Sequence, residues 1–251
     1  MHPVVCYTVL FAIAGAAGMA VAGRKAERAV RRQRWLKFFT YIFITGTVIA
    51  SIFYHFFSWL ALGIVIASLA ELVRVSTPHF LVKPVTVALS VICFLLIATG
   101  FILFTRTFSW SFLLFIYFQV LVFDGFCQVT GQLWGRRPLV PSVSPAKTIE
   151  GLAGGWICCI AAAVIAAGWV HGSPGAAVLF GLLTGLPSFA GDLLASFYKR
   201  KTGVKDYSNW LPGQGGFLDR FDSLFFTGGT YYILFVLIFK DHSCLHSMTL
   251  F

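Results

Sequence analysis

Four aspartates interrupt apolar stretches of the chain between residues 117 and 226. Asp124 lies in YFQVLVFDGFCQ, Asp192 lies in LPSFAGDLLASF, and both Asp219 and Asp222 lie in FLDRFDSLFF. A carboxylate in such surroundings is costly to keep charged, so it needs a cation or a functional reason to be there. Each residue alone is equally compatible with a metal or ligand site and with a buried ion pair to a nearby lysine or arginine.

The spacing of these acids predicts that they share one pocket. Asp192, Ser196 and Lys199 are separated by four and three residues, which places them on one face of a helix. Asp219 and Asp222 are three residues apart and also share a face. Two such faces meeting across a bundle leave uncompensated negative charge, which a hard cation such as Mg²⁺ neutralises with oxygen ligands. We therefore predict these five residues as catalytic, with the three aspartates as metal ligands.

A glycine turn, LPGQGGF at residues 211–217, lies between these two helical faces. Glycines let backbone amides approach a ligand closely, and amides at a helix N-terminus form an anion site. Basic residues precede the turn and DRFD follows it, which indicates a polyphosphate carrying Mg²⁺ more than a plain turn. The substrate-binding residues predicted in this segment are Arg200, Lys205, Gly213, Gln214, Gly215, Gly216 and Arg220.

A second polar segment, GQLWGRRPLVPSVSPAKTIEGLAGG, occupies residues 131–155. It combines two arginines, a Ser-Pro turn and Lys147, and it predicts a second phosphate or nucleotide wall into which Lys147 reaches. A rigid reverse turn between two helices is the structural alternative. The other residues predicted to bind substrate are Ser144 and Thr148 in this segment and Asp124 in the preceding apolar stretch.

The elements that must position these residues are membrane-spanning helices. The 251 residues are 58% hydrophobic and 11% charged, with a mean hydropathy of +0.84, whereas soluble domains are about 25% charged. A hydrocarbon core about 30 Å thick needs roughly 20 apolar residues per helix. Eight such helices are predicted, near residues 3–22, 38–55, 57–73, 84–104, 108–130, 152–170, 176–197 and 217–239. The predicted fold class is an all-α, polytopic transmembrane helix bundle that forms a single domain.

The basic residues are distributed asymmetrically between the two sides of this predicted bundle. If the loop at residues 24–37 is cytoplasmic, alternation of the spans places 17 of the 19 lysines and arginines on the cytoplasmic side. Both termini then lie on the non-cytoplasmic side. The net charge of +10 is predicted to face lipid headgroups and nucleotide phosphates, and we expect no nucleic-acid partner because no soluble basic domain is evident.

The segment 196–222 resembles the signature of the phosphatidate cytidylyltransferase (CDP-diacylglycerol synthase) family of membrane enzymes. The pattern S-x-x-K-R-x4-K-D-x5-P-G-[HQ]-G-G-x2-D-R-x-D is matched at every spacing from Ser196 to Asp222. The upstream segment is similar to the family pattern D-x6-G-x3-G-[KR] followed by S-P-x-K-T-x-E-G, between Asp124 and Gly151. The resemblance covers residues 120–225, a catalytic region with cytoplasmic motif loops at 131–151 and 196–222, whereas residues 1–110 match only as apolar spans.

This resemblance implies transfer of CMP from CTP to phosphatidate, giving CDP-diacylglycerol and pyrophosphate, with Mg²⁺ as cofactor. It also implies a second, monovalent or divalent cation and a homodimer. In this interpretation the lipid phosphate attacks the α-phosphorus of CTP in line, while Lys199, Arg200 and Lys205 hold the triphosphate. We expect a multi-pass protein of the bacterial inner membrane, surrounded by membrane lipids, with its site facing the cytoplasm.

Two other functions are compatible with parts of the sequence. A CTP-dependent polyprenol or phytol kinase would transfer the γ-phosphoryl group to a lipid alcohol and release CDP, but such enzymes usually lack the full signature. An ion-coupled membrane transporter would explain acids within the membrane, but it would not explain a glycine turn flanked by lysines. The identity of the nucleotide product separates the two enzyme hypotheses.

Overall fold

The computed structural model of the protein describes residues 28–79, 83–170 and 173–238. Seven long helices run through these residues: α1 Arg28–Phe53, α2 Phe57–Ser76, α3 Pro84–Thr107, α4 Trp110–Trp134, α5 Ile149–Ala166, α6 Pro174–Lys201 and α7 Leu218–Ile238. Short 3₁₀ turns follow α2 and α5. Six helices in this part of the chain, α1 to α6, contain a segment long and apolar enough to cross a membrane.

The seven helices overlap the second to eighth predicted spans, and the polytopic helical class is confirmed for the described residues. The last of them, α7, is not among the six helices found apolar enough to cross a membrane, so the count of eight spans stays a prediction. The first predicted span, 3–22, lies outside them. The prediction of a loop throughout 24–37 is wrong from Arg28 onward, because α1 begins there. Arginine, lysine and alanine are good helix formers, so a basic segment can extend an apolar helix beyond the hydrocarbon core. The helix ends at Phe53, and His55, with φ of 59°, allows the chain to reverse into α2.

A small β-hairpin is an addition to the predicted all-α fold. Strands β1 (Pro138–Val140) and β2 (Ser144–Thr148) pair antiparallel. Thr148 then caps α5, because its Oγ accepts a hydrogen bond from the amide of Gly151 at 3.1 Å. Glu150 closes the base of the hairpin, where its Oε2 accepts the amides of Arg136 and Arg137. The reverse turn considered above is therefore a hairpin with a defined register.

Helices α6 and α7 approach each other closely at the end of the bundle that carries the acids. Gly191 makes this approach possible, because a Cβ at this position would lie 2.8 Å from the carbonyl oxygen of Asp222. Further along, α7 packs against α3 through Gly100 and Gly229, where an added Cβ on Gly100 would lie 3.1 Å from the Cα of Gly229. Small residues at such crossings bring backbones together in membrane bundles. The acid-bearing start of α7 is thus held against α6.

Candidate active site

The predicted site residues converge from four elements. Asp124 lies on α4, Lys147 lies on β2, Asp192 lies on α6, and Asp219 and Asp222 lie in the first turns of α7. Helix α6 also carries Ser196 and Lys199 on the same face as Asp192, as their spacing predicts. The two motif loops, far apart in the sequence, meet at these side chains.

The first contact of the hairpin with α6 is an ion pair between Lys147 and Asp192. Lys147 Nζ lies 2.7 Å from Asp192 Oδ2, with the lysine side chain 18% exposed and the aspartate side chain 40% exposed. The ammonium is buried without a well-aligned hydrogen bond, so the attraction is mainly electrostatic. Ser196 Oγ donates to the other oxygen of Asp192 at 3.3 Å. The hairpin therefore does present Lys147 to α6.

A second and deeper ion pair joins Lys199 to Asp219. Lys199 Nζ donates to Asp219 Oδ1 at 2.6 Å, and the two side chains are 11% and 6% exposed. The other oxygen, Oδ2, accepts the amides of Tyr207 at 2.8 Å and Gly216 at 2.9 Å. Both oxygens of Asp219 are therefore bound by the chain itself.

These contacts involve two of the three aspartates predicted as metal ligands, and the metal site itself stays a prediction. Among the described residues, no three His, Cys, Asp or Glu side chains come close enough together to hold a metal ion. Asp192 and Asp219 instead adopt the alternative considered from the sequence, which is pairing with nearby lysines. The reason is electrostatic: Lys147 and Lys199 reach the same low-dielectric pocket as the acids and compensate their charge.

Asp222 accepts fewer hydrogen bonds than Asp219. The side chain is buried, its Oδ1 accepts the amide of Ser223 at 2.7 Å, and Asp192, Lys199 and Asp124 lie within electrostatic range. Asp124 accepts a hydrogen bond from Ser188 Oγ at 2.9 Å. Carboxylates on α4 and α6 thus lie within electrostatic range of Asp222, although among the described residues they are not close enough to form a three-ligand metal site.

The glycine turn is closed by its own hydrogen bonds. The amide of Leu211 donates to the carbonyl of Gly215, and the amide of Gln214 donates back to the carbonyl of Leu211, both at 2.9 Å. Gly213 and Gly215 have φ of +74° and +83°, a backbone region that favours glycine. The amide of Gly216, which we expected to face phosphate, donates to Asp219 instead. An acid of the chain takes this amide in the structure, and the predicted contact of Gly216 with phosphate stays a prediction.

Gln214 and Arg220 connect the turn to α1. Gln214 Nε2 donates to the carbonyl of Lys37 at 2.7 Å, and Arg220 donates through Nη2 to Gln214 Oε1 at 2.6 Å. The guanidinium of Arg220 also lies over the ring of Tyr41, 5.6 Å from its centroid. These two predicted substrate-binding residues hold the turn in place through contacts with α1.

The remaining predicted residues lie around the hairpin and the end of α6. Arg200 Nε donates to the carbonyl of Val143 at 3.2 Å, which ties the hairpin to α6. Thr148 acts as the cap of α5, and Ser144 is half-buried at the start of β2. Lys205 is exposed in the loop after α6. Arg200 and Thr148 therefore have structural contacts, whereas Lys205 remains accessible to an anion.

One acid of this site was missed from the sequence. Glu71 on α2 is 0% exposed, and its carboxylate accepts hydrogen bonds from Ser208 and from the amides of Phe217 and Leu218. It lies in the apolar segment SLAELVRV, so the criterion that singled out Asp124 would also have found it. Its partners could not have been found, since they lie more than 130 residues further along the chain.

An apolar groove of about 500 Å³ lies next to the glycine turn. Helices α1 and α2 form two of its walls, and Leu211, Pro212 and Phe217 of the turn form the third, together with Phe221 of α7. Its volume is in the range of small-molecule sites, which are about 300–1,000 Å³. The turn therefore separates a charged pocket from an apolar groove.

The chain matches one protein-family model along most of its length and individual relatives along about half of it. Residues 2–238 match the model of the cytidylyltransferase family. The uncharacterized protein YnbB of Escherichia coli (strain K12) is 47% identical over 103 residues, which are 41% of this chain and 35% of that protein. A phosphatidate cytidylyltransferase of Mycobacterium bovis is 39% identical over 117 residues, 46% of this chain and 38% of the relative.

A third relative extends the similarity somewhat further. A phosphatidate cytidylyltransferase of Staphylococcus epidermidis is 37% identical over 134 residues, 52% of each chain. The matched part thus spans between 35% and 52% of the length of these curated relatives. The family model, by contrast, covers nearly all of this chain and both loops that form the site. This protein therefore belongs to the cytidylyltransferase family.

Proposed function

We propose that this protein is a phosphatidate cytidylyltransferase, which transfers CMP from CTP to phosphatidate and releases pyrophosphate. The observation that carries the proposal is the pair of ion pairs, Lys147–Asp192 and Lys199–Asp219, in one pocket beside Asp222. Two ammonium groups and several carboxylates at the membrane-embedded site suit a polyphosphate bound with a divalent cation. Two of the relatives carry the name of this activity.

The two lysines are the groups that would bind phosphate. In the structure each lysine neutralises one carboxylate, so neither charge is left alone in a low-dielectric pocket. A triphosphate brings more negative charge than either carboxylate and would compete for both ammonium groups. Lys205, which is exposed in the loop after α6, would add a third positive charge for the incoming nucleotide.

The acids released in this way would hold the cation. Asp192 and Asp222 fit this role best, because Asp192 is half-exposed and the hydrogen bond to Asp222 comes from the adjacent amide of Ser223. Asp219 fits only after Lys199 has left it. When bound, Mg²⁺ would neutralise the charge that develops between the α-phosphate and the leaving group.

The transfer needs no strong general base. An anionic oxygen of the phosphatidate phosphate forms the new bond to the α-phosphorus of CTP, and the bond from that phosphorus to the bridging oxygen of the β-phosphate breaks. The electron pair leaves with pyrophosphate. Lys147 and Lys199 would orient the triphosphate for this in-line displacement, which is a positioning and electrostatic contribution.

The apolar groove supports a lipid as the second substrate. It runs along α1 and α2 and ends at the glycine turn, close to Arg220. An acyl chain in this groove would place its phosphate headgroup at the turn, beside the charged pocket. A bacterial inner-membrane location, a cytoplasmic site, a second cation and a homodimer are further parts of the proposal.

The proposal is tested with the full chain in detergent micelles, α-³²P-labelled CTP, phosphatidate and Mg²⁺. We expect label in the lipid together with released pyrophosphate. Asp192→Asn should lower this transfer by more than about 100-fold, because the substitution removes a charge that acts at the reacting phosphates. The matched control is Asn209→Ala in the exposed loop, which should retain activity.

Other outcomes contradict the proposal in distinguishable ways. Release of labelled CDP with unlabelled lipid indicates a lipid kinase. Absence of any CTP turnover with Mg²⁺, Mn²⁺ or added K⁺ overturns both enzyme hypotheses and favours a transporter, which vesicle flux assays would then detect.

A further inference from the structure

The start of α7 is bound by a carboxylate from a distant helix. Glu71 Oε1 accepts from Ser208 Oγ at 2.6 Å and from the amide of Phe217 at 3.0 Å, and Oε2 accepts from the amide of Leu218 at 2.9 Å. The first amides of a helix lack partners within the helix, and they carry its positive dipole. Glu71 therefore fills the site where we expected a phosphate to bind.

The same carboxylate explains why residue 216 is a glycine. A Cβ on Gly216 would lie 2.5 Å from Glu71 Oε2 and 2.6 Å from its Cδ, which is closer than side chains approach. These atoms are the end of the Glu71 side chain, which is buried and held in place by three hydrogen bonds, so moving it aside would break them. Gly216 is thus needed for the approach of Glu71, whereas Gly213 and Gly215 are needed for positive φ.

Glu71 and Asp219 bind alternating groups of one loop. Asp219 takes the amides of Tyr207 and Gly216, while Glu71 takes the hydroxyl of Ser208 and the two amides that follow Gly216. The loop is therefore tied at both of its ends to two buried carboxylates. Loss of the Glu71 carboxylate would therefore free the start of α7, where Asp219 and Asp222 lie.

Helix α2 holds the end of α6 as well. Ser76 Oγ and the hydroxyl of Tyr198 form a buried hydrogen bond of 2.6 Å, one residue before Lys199 in the chain. The same helix thus contacts both site helices, α7 through Glu71 and α6 through Ser76. Residues 1–110 resemble the family only as apolar spans, yet two of them, Glu71 and Ser76, form hydrogen bonds that hold the helices of the site in place.

We propose that Glu71 is a positioning residue for the reaction, which fixes the glycine turn and the DRFD segment through hydrogen bonds to Ser208, Phe217 and Leu218. It touches the loop and not the reacting atoms. One consequence is that the start of α7 is closed to the nucleotide, so the side chains of lysines must bind the phosphates. The part of this inference that concerns the reaction rests on the proposed function, while the part that concerns the loop does not.

The first test is hydrogen exchange of the unliganded full chain. Glu71→Gln replaces one acceptor oxygen with an amide that faces donors, so we expect the amides of Phe217 and Leu218 to exchange at least about tenfold faster. The control is Ser68→Ala, a buried position three residues earlier on α2, which should change exchange there by less than about twofold. Equal exchange in Glu71→Gln and the unsubstituted protein overturns the proposal.

A milder variant covers the case in which Glu71→Gln does not fold. Ser208→Ala removes one donor from Glu71 at a half-buried loop position, so the bundle should remain intact. We expect at least about threefold faster exchange at Phe217 and Leu218, because one hydrogen bond to a charged group is lost. Unchanged exchange in this variant overturns the proposal as well.

The second test uses a compensating pair. Gly216→Ala should abolish most transfer, because its methyl group collides with the Glu71 carboxylate. Glu71→Asp withdraws that carboxylate by one methylene, so the double variant should be at least about fivefold more active than Gly216→Ala alone, a coupling expected only of residues in contact. An inactive double variant, with the Gly216→Ala loss unrelieved, would instead indicate that the Gly216 site faces the nucleotide.

The kinetic signature separates positioning from a loss of folded protein. In Glu71→Gln we expect kcat to fall by about tenfold to 100-fold, since displacement of catalytic groups by about 1 Å has such effects. The KM for CTP and the half-saturating Mg²⁺ concentration should rise several-fold. A smaller folded fraction would lower kcat alone. If the unsubstituted protein does not turn over CTP, the proposed function fails while the exchange experiment still decides the role of Glu71.

Discussion

The two lysine–aspartate pairs of the site have nearly the same length but different surroundings. Lys147 and Asp192 are 2.7 Å apart and their side chains are 18% and 40% exposed, whereas Lys199 and Asp219 are 2.6 Å apart with 11% and 6% exposed. Asp219 also accepts two backbone amides, while Asp192 accepts one weak hydroxyl hydrogen bond. The comparison shows that equal contact distance does not imply an equal role.

The difference in burial predicts that the two ion pairs have different roles. An accessible ion pair contributes little to stability and exchanges partners easily, whereas breaking a buried pair strands a charge in low dielectric. We therefore expect the Lys147–Asp192 pair to open readily for substrate and cation. The Lys199–Asp219 pair organises the loop at 207–216, and under the proposed function Lys199 would bind phosphate only after this pair opens.

The largest expected effect comes from breaking the buried pair. Asp219→Asn leaves Lys199 without its carboxylate, and we expect a loss of about 3–5 kcal/mol in the free energy of unfolding, together with loss of transfer. Thermal unfolding in detergent measures the first and the labelled-CTP assay measures the second. The control is the double variant Lys199→Met, Asp219→Asn, which removes both charges but keeps an acceptor oxygen for the amides of Tyr207 and Gly216, and it should recover much of the stability and none of the activity. A stable Asp219→Asn protein would remove the distinction between the two pairs.

A smaller effect is expected where α6 meets α7. Gly191→Ala places a Cβ 2.8 Å from the carbonyl oxygen of Asp222, so the helices must separate. Overpacking of this kind costs about 1–3 kcal/mol, and it should lower transfer because Asp192 moves relative to Asp222. Gly175→Ala, near the start of α6 with nothing within 4 Å of an added Cβ, is the matched control and should leave the unfolding temperature unchanged.

The position of the hairpin that carries Lys147 should depend on Thr148, which ends β2 and caps α5. Thr148→Ala removes the oxygen that accepts the amide of Gly151, which we expect to cost about 1 kcal/mol of stability. Transfer should decline by less than about tenfold, chiefly through a raised KM for CTP, because the lysine becomes less well placed. Thr148→Ser keeps the hydroxyl and should behave as the unsubstituted protein. An equal loss in both variants would argue for a role of the Thr148 methyl group instead.

The smallest effect on stability is expected from the less buried pair, Lys147–Asp192. Lys147→Gln should change the free energy of unfolding by less than about 1 kcal/mol, since the carboxylate it leaves behind, Asp192, is 40% exposed and stays solvated. Under the proposed function, the KM for CTP should nevertheless rise by about tenfold or more, because a charge that would bind phosphate is lost. Calorimetric CTP binding compared with thermal unfolding checks both statements. A strongly destabilised Lys147→Gln protein would show that the two pairs are equivalent after all.

Much of the fold follows from local patterns. Apolar runs of about 20 residues locate the helices, and glycines at positions 213 and 215 are required by a turn that needs positive φ. The spacing of Asp192, Ser196 and Lys199 correctly places them on one face of α6. The extension of α1 to Arg28 and the hairpin at 138–148 were not anticipated, because short polar segments have no strong periodicity and take their structure from their neighbours.

The sequence by itself determined the membrane class, the family signature and the set of ionisable residues that the bundle must accommodate. Only the tertiary structure decided which charges meet: Lys147 with Asp192, Lys199 with Asp219, and Glu71 with the start of α7. The physical reason is that burial and Coulomb attraction act over distances of a few ångströms between helices far apart in the chain. No local spacing reports such contacts, so a carboxylate that resembles a metal ligand in the sequence can bind a lysine or a backbone amide in the fold.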